Sequence, residues 1–498
     1  MLARHEEILK GRPAVQQNYY RRGALALAYP FTPDRSAIPA PSSVSLRAEE
    51  ALAMPPAKRV KEAAGRSAPL FRDGLSVADV NADGLLDVVA PMREPDQPVL
   101  LVWSQMTGGA FAAASGVGPQ GRACSSAPMG DLDRDGDVDA LVTCNTGNIL
   151  MRNTGDGTLA PTPQSDMVWP SLAGLASTLV DVDHDGDLDV HVVEPLGQVA
   201  GKDGAPPSWQ AMQWIWRNDG SGKFTQVAGM MGLGFVLDSH HFLWADVDGD
   251  NAVDLLASTP GRGLVLARND RSERFTVTEL GLAPWKSSIG PPAFLMTALD
   301  ADSDGDLDVM LFADAGLTLL LNDSAPGAPK FVASAALPLG PDQMPGALVP
   351  ADLDLDGHDE LILFGAGAAQ DGEAAGRASL LTFSIEGRAV VVPIRPVAAD
   401  GLDAQVVIPA DIDGDGDVDL ISRRRGAGPV ILRNATPAGP AWINILPVGR
   451  DGRSNPHGLG AKLTMDAGTL RAHVERRSLG APLCHSLAAQ TFGLGARA

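Results

Sequence analysis

A nine-residue acidic loop, Asp131-Leu-Asp-Arg-Asp-Gly-Asp-Val-Asp139, recurs in seven versions along the chain, and no other feature constrains the fold so tightly. The versions begin at Asp79, Asp131, Asp181, Asp246, Asp300, Asp352 and Asp411, with successive starts 52, 50, 65, 54, 52 and 59 residues apart. A sustained period in this range marks a repeat architecture. Each loop is entered by a short apolar segment such as Ser177-Thr-Leu-Val180 and left by another such as Ala140-Leu-Val-Thr143. The loop therefore joins two strands as a hairpin. A helix–loop–helix calcium motif needs flanking helices and a ligand at position 12, and neither is visible. Thrombospondin-type acidic arrays repeat faster and carry far more cysteine than the three residues present here.

Acidic side chains at positions 1, 3, 5 and 9, with a backbone carbonyl at position 7, suit a hard cation, and Ca²⁺ takes roughly 6–8 oxygens. The expected ligands are Asp79, Asn81, Asp83 and Asp87 in loop 1 and Asp131, Asp133, Asp135 and Asp139 in loop 2. Loop 3 offers Asp181, Asp183, Asp185 and Asp189; loop 4 offers Asp246, Asp248, Asp250 and Asp254. Loop 5 offers Asp300, Asp302, Asp304 and Asp308; loop 6 offers Asp352, Asp354, Asp356 and Glu360. Loop 7 offers Asp411, Asp413, Asp415 and Asp419. Glycine at position 6 supplies a left-handed turn, and Asn251, which replaces it in loop 4, tolerates that conformation. Unneutralised, such carboxylates repel one another, and bound cations relieve the repulsion. Several Ca²⁺ ions, up to seven, are expected. Mg²⁺ fits less well because it demands stricter octahedral geometry.

The formal net charge is −22, yet the seven loops hold 32 of the 61 Asp and Glu residues. That leaves 29 acids against the chain's 39 Lys and Arg, so the acidity is local. No basic stripe with interleaved aromatics appears, and nucleic-acid binding finds no support. No apolar run approaches 18 residues, so no transmembrane helix is expected. The start, Met1-Leu-Ala-Arg-His-Glu-Glu-Ile-Leu-Lys10, is charged and lacks the apolar core of a signal peptide. It reads as a cytoplasmic start, or as that of a secreted chain shown in trimmed form.

From about Ala68 each unit reads as strand, acidic loop, strand, then a third strand closed by a recurring Arg-Asn or Asn: Leu150-Met-Arg-Asn153, Ile215-Trp-Arg-Asn218, Leu266-Ala-Arg-Asn269, Leu320-Leu-Asn322 and Leu432-Arg-Asn434. A Gly- or Ser-rich turn and an outer strand follow. Four antiparallel strands per unit, seven times over, describe an all-β, seven-bladed β-propeller, whose radial closure leaves few exposed edges. The expected division is an extension over 1–66, the propeller over 67–447 and a small β module over 448–498. Within the extension, Glu6–Lys10 and Arg47–Glu62 read as short helices around a Pro/Ser stretch.

The combined pattern resembles the FG-GAP/VCBS repeat of integrin α-chain propellers and many bacterial proteins, over roughly residues 68–447. The tail resembles the ASPIC/UnbV module of the cartilage acidic protein family and its bacterial relatives. It does so through Trp442-Ile-Asn-Ile-Leu446, Ser454-Asn-Pro-His-Gly-Leu-Gly-Ala461, Val474-Glu-Arg-Arg477 and Phe492-Gly-Leu-Gly495. Departures are Asn81 and Asn251 in the loops, Glu360 closing loop 6, and few of the Phe-Gly tags that name the family.

Cys124 and Cys144 flank loop 2 at nearly matched hairpin positions. A disulfide and two buried thiols remain equal readings. The loops and this pair favour an extracellular or periplasmic setting. His240-His241 precede the inner strand of unit 4; neighbours on a strand point to opposite faces, which favours a structural role over a shared ligand. No nucleophile elbow, zinc motif or phosphate loop appears. The expected function is a calcium-stabilised propeller that binds a protein, glycan or small-molecule ligand. An enzyme (lyase, hydrolase or cyclase) with its site at the propeller mouth is the alternative. With every calcium loop on one face, the long connections open on the other, and long loops on a rigid scaffold are where binding usually resides. Trp209, in the Glu194–Gln210 connection, with His240, His241 and Trp285, is the expected ligand site.

Overall fold

The computed structural model describes residues 46–48, 52–54, 73–162, 176–199, 208–237, 241–259, 262–271, 274–281, 295–313, 316–326, 328–334, 336–339, 345–365, 378–381, 396–397, 406–423, 428–434, 441–449, 454–467, 470–477 and 483–495. Seven antiparallel sheets form the blades of a β-propeller. Blade 3 is representative: an inner strand Ala176–Val180, a second strand Asp189–Val199, a third Ser208–Asn218 and an outer Phe224–Gln226. The inner strands of the other blades are Leu75–Ala78, Cys124–Ser126 with Met129–Gly130, Phe242–Ala245, Leu295–Leu299, Pro345–Ala351 and Val406–Ala410. They are buried throughout apart from Pro350 and Pro409, as their nearly unbroken apolar sequences require. Among the described residues there is no helix, and none is long and apolar enough to cross a membrane.

The core is a ring of seven apolar clusters, one between each pair of neighbouring blades. Leu132, Leu141 and Leu188 join blades 2 and 3, for example, while Val180, Phe242 and Leu255 join blades 3 and 4. Leu75, Trp103 and Ile408 close the ring between blades 1 and 7. Each blade depends on two neighbours, so the stability of the disc is collective.

Two terminal segments complete the propeller. Leu46–Ala48 pairs with Leu432–Asn434 as the outer strand of blade 7. Arg47 thus lies in a strand and not at the start of a helix: the free edge of the third strand offers backbone partners that an isolated short helix lacks. Ala48 lies in the same strand, and the other residues assigned to helices are, 52–54 apart, outside the described residues. At the far end, Cys484–Ser486 pairs in parallel with Leu75–Ala78, the inner strand of blade 1. His485 meets Ser126 of blade 2 at 3.4 Å, which puts this segment among the inner strands near the axis. A hairpin, Lys462–Ala467 with Leu470–Glu475, and a pair, Trp442–Ile445 with Gln490–Gly493, make up the rest of the module.

Residues 194–199 and 208–210 of the Glu194–Gln210 connection are strand. Glu194 pairs with Met212 and Gln198 with Trp209, past a register shift between Pro195 and Gly197. The 11-residue second and third strands of blade 3 outrun the 6-residue second strand of blade 2. Trp209 therefore stands in a strand. The register shift at Pro195 and Gly197 lets the strand pairing run on where a loop was expected.

Candidate metal centres

Each acidic loop links the inner strand of its blade to the second strand, which places all seven on one face of the disc. The loops share one hydrogen-bond plan. The first carboxylate accepts the amide of residue 6 in every copy: Gly84→Asp79, Gly136→Asp131, Gly186→Asp181, Asn251→Asp246, Gly305→Asp300, Gly357→Asp352 and Gly416→Asp411, at 2.6–3.2 Å. The fifth accepts the amide of residue 7, as Asp137→Asp135 at 3.0 Å and Asp306→Asp304 at 2.9 Å show. Position 6 is left-handed throughout, including Asn251 at φ 65°. Position 4 is left-handed too, at Ala82, Arg134, His184, Ser303 and Leu355. Loops 4 and 7 have glycine there, Gly249 and Gly414, also left-handed, but the other five copies hide the requirement.

The ninth carboxylate has a second duty. Asp139 accepts the amide of Leu132 through Oδ2 and that of Asn153 through Oδ1. Asp189, Asp254 and Asp308 do likewise with Val182 and Asn218, Val247 and Asn269, and Ala301 and Asn322. It ties the loop to the third strand of its own blade.

The recurring Asn is a stitch between blades. Asn153 Nδ2 donates to Val80 O of loop 1 at 2.8 Å, and Asn218, Asn269, Asn322 and Asn434 donate to Leu132, Val182, Val247 and Leu353 in the loop one blade back. Gln105 does the same to Ile412 across the closure. The arginine before the Asn reaches the third carboxylate of its own loop: Arg152–Asp133, Arg217–Asp183 at 3.6 Å, Arg268–Asp248 at 3.9 Å and Arg433–Asp413 at 3.1 Å.

In at least five loops, carboxylate oxygens from three residues lie within 4.8 Å of one another: Asp131, Asp133 and Asp139; Asp181, Asp183 and Asp189; Asp246, Asp248 and Asp250; Asp300, Asp302 and Asp304; Asp352, Asp354 and Asp356. Such triads can hold a metal ion. Oδ1 of Asp131, Asp181, Asp300 and Asp352 is buried with no hydrogen-bond partner among the described residues. A buried carboxylate oxygen with no donor is costly, and an all-oxygen set of this kind fits a hard cation. Burial, with neighbouring carboxylates adding to it, pushes Asp181 and Asp300 up to about 7. Burial also lifts Asp139 and Asp308 to about 7, against the opposing pull of their amide donors.

The C-terminal module sits on this same face. His457 Nε2 accepts the Asp131 amide at 2.7 Å, and Glu475 Oε2 accepts the Asp246 amide at 2.9 Å. Lys462 pairs with Asp246, Gly493 N donates to Asp352 Oδ2, and Asn444 Nδ2 donates to Asp411 Oδ2. The module thus touches the first residue of loops 2, 4, 6 and 7. Burial pushes His457 down to about 4, which keeps it neutral and able to accept. These partners were not legible in the sequence, since each meets an acid from a distant blade.

Of the expected ligand residues, His240 and Trp285 lie outside the described residues, and Trp209 is placed by its backbone alone. His241 is buried, 3% exposed, just before the inner strand of blade 4. Trp214 Nε1 donates to Glu194 at 2.7 Å, and Trp216 packs between blades 2 and 3. Cys124 and Cys144 are register partners joined by a disulfide.

The FG-GAP-like repeat matches residues 79–142, 131–192 and 300–363. The chain carries FG-GAP-like repeats. No curated protein matches it. Solved structures with a similar fold include an Agrocybe aegerita lectin that recognises non-reducing terminal N-acetylglucosamine (17% identity, 66% of this chain and 81% of that one, TM-score 0.41). BBS1N in complex with ARL6DN (11%, 74% and 93%, 0.45) and the exotype rhamnogalacturonan lyase YesX (12%, 74% and 72%, 0.40) are others.

Proposed function

We propose that this propeller is a calcium-stabilised binding scaffold, with Ca²⁺ held by positions 1, 3, 5 and 9 of its acidic loops and a partner or ligand engaged on the opposite face. The observation that carries the reading is the set of buried first-position oxygens in loops 2, 3, 5 and 6 that meet no donor among the described residues. Oxygen donors throughout, in pliable loops, favour Ca²⁺ over Mg²⁺. The choice of face rests on occupancy. The loop face already carries Asn444, His457, Lys462, Glu475 and Gly493, from a segment that we infer to be an ASPIC/UnbV-like module. On the other side the second and third strands of blade 3 run on to Val199 and Ser208, and Trp209, His240, His241 and Trp285 are the proposed contacts. The Cys124–Cys144 disulfide favours an extracellular or periplasmic setting. Thermal melting in Ca²⁺, Mg²⁺ and EDTA tests the reading: EDTA should lower Tm, and Ca²⁺ should restore it better than Mg²⁺. An unchanged curve in EDTA would sink it.

A further inference from the structure

Between the C-terminal module and the inner ends of blades 3 and 4 lies a cavity of about 440 Å³. Small-molecule sites span roughly 300–1,000 Å³. Phe242, Trp244 and Leu459 give it an apolar wall. Its charged wall combines Lys462, Glu475, Arg476 and Arg477 of the module with Asp181 and Asp246, the first residues of loops 3 and 4. Three acids and three bases line it. Cations in loops 3 and 4 neutralise Asp181 and Asp246, which leaves Lys462, Arg476 and Arg477 against Glu475 alone. Metal loading therefore turns the wall basic.

The two arginines are held in place for such a task. Arg476 donates to the carbonyls of Ala488 and Leu487 at 2.7 and 2.8 Å, and Arg477 to that of Ala298 at 2.8 Å. Arg476 Nε and Arg477 Nη1 are buried without a hydrogen-bond partner among the described residues. Guanidinium N–H groups in a fixed plane suit a carboxylate, and aromatic rings suit the flat body of a ring.

We propose that this cavity binds a small carboxylate carried on a ring, with the carboxylate toward Arg476 and Arg477, and that binding requires cations in loops 3 and 4. The inference rests on the calcium reading above, and its failure is separable from that of the reading. Titration calorimetry on the full chain would use glucuronate as an acidic sugar, benzoate as an aromatic acid and glucose as a neutral control, with melting followed in parallel. At least one carboxylate should bind in Ca²⁺ while glucose does not, and chelation should weaken it about tenfold or more. Arg477→Gln should remove binding; because that change also frees the Ala298 carbonyl, Leu459→Trp, which fills the cavity and keeps every charge, should do the same. If Ca²⁺ raises Tm but neither carboxylate binds, or binding survives both substitutions, the anion site is wrong and the calcium reading stands. If Ca²⁺ leaves Tm unchanged, both fall.

Discussion

Blades 2 and 5 carry nearly the same loop, DLDRDGDVD and DADSDGDLD, in different settings. In blade 2, Arg152 neutralises Asp133, and the Cys124–Cys144 disulfide staples the two strands that the loop joins. In blade 5 the residue matching Arg152, the one before the recurring Asn, is Leu321, and no cysteine is present. The four acids Asp300, Asp302, Asp304 and Asp308 have no arginine of their own blade to offset them. An acidic loop can thus be held by internal counter-charge and covalent closure, or it can leave both tasks to an ion. On the proposed reading, blade 5 should depend on the ion more than blade 2 does and should bind it more tightly.

The largest effect expected is the response to chelation. One cation at a hundredfold excess over Kd contributes about 2.7 kcal/mol, and several acting together should move Tm by about 10 °C or more. Amide exchange in EDTA should quicken first at 300–308 and later at 131–139. Equal rates would erase the distinction between the blades. Within blade 2, Asp135→Ala should reduce the calcium-dependent part of stability, whereas Asp323→Ala removes only an exposed pair with Lys330, worth at most about 1 kcal/mol.

Next in size is the disulfide. Closing a loop of this length, across a sequence separation of 20, contributes about 3 kcal/mol. Reduction should make blade 2 more dependent on Ca²⁺, though still less than blade 5 because Arg152 remains, read as a larger EDTA shift in reduced protein. A shift that stays the same would mean that the staple bears no load at the loop.

A pH series probes the carboxylates without the ion. Burial raises Asp181, Asp300 and Asp308 to about 7 in the folded state, against ordinary values near 4 unfolded. The fold then binds protons more tightly than the open chain, so this contribution is complete below about pH 4 and is lost as pH climbs through 7. In EDTA, stability should fall from pH 5 to pH 8, while the gain on adding Ca²⁺ widens. A flat profile in EDTA would mean that the acids are not crowded in solution.

The smallest effect comes from exchanging the counter-charge. Leu321→Arg should weaken the tightest calcium site, and Arg152→Leu should strengthen a weak one. Each change is expected to be about fivefold, since a half-exposed pair contributes at most about 1 kcal/mol. Titrations that show both sites unmoved would remove the arginine from the account.

The loops, their number and their common face were legible because an acidic spacing of two is rare and self-repeating. The Arg-Asn signature was visible as a pattern, but its purpose was not: Asn153 bonds Val80, 73 positions away in a different blade. Trp209 was expected in a loop, where the paired strands of blade 3 continue past a register shift as far as Val199 and Ser208. His457 and Glu475 gave no local hint of duty on loops 2 and 4. The outer strand of blade 7 was hidden for a similar reason, as three residues flanked by charges carry no period of their own.

That strand has a consequence for how the molecule is made. Leu46 meets Asn434, so a ribosome has released nearly the whole disc before the first strand finds its seat. Until then the early blades form an open arc with raw edges at both ends. Joining them costs little in chain entropy, about 5 kcal/mol for a separation this long, because the cost grows only with its logarithm. The hazard is waiting time. Before closure, the free edge of blade 7 could accept the first strand of a second nascent chain as readily as its own.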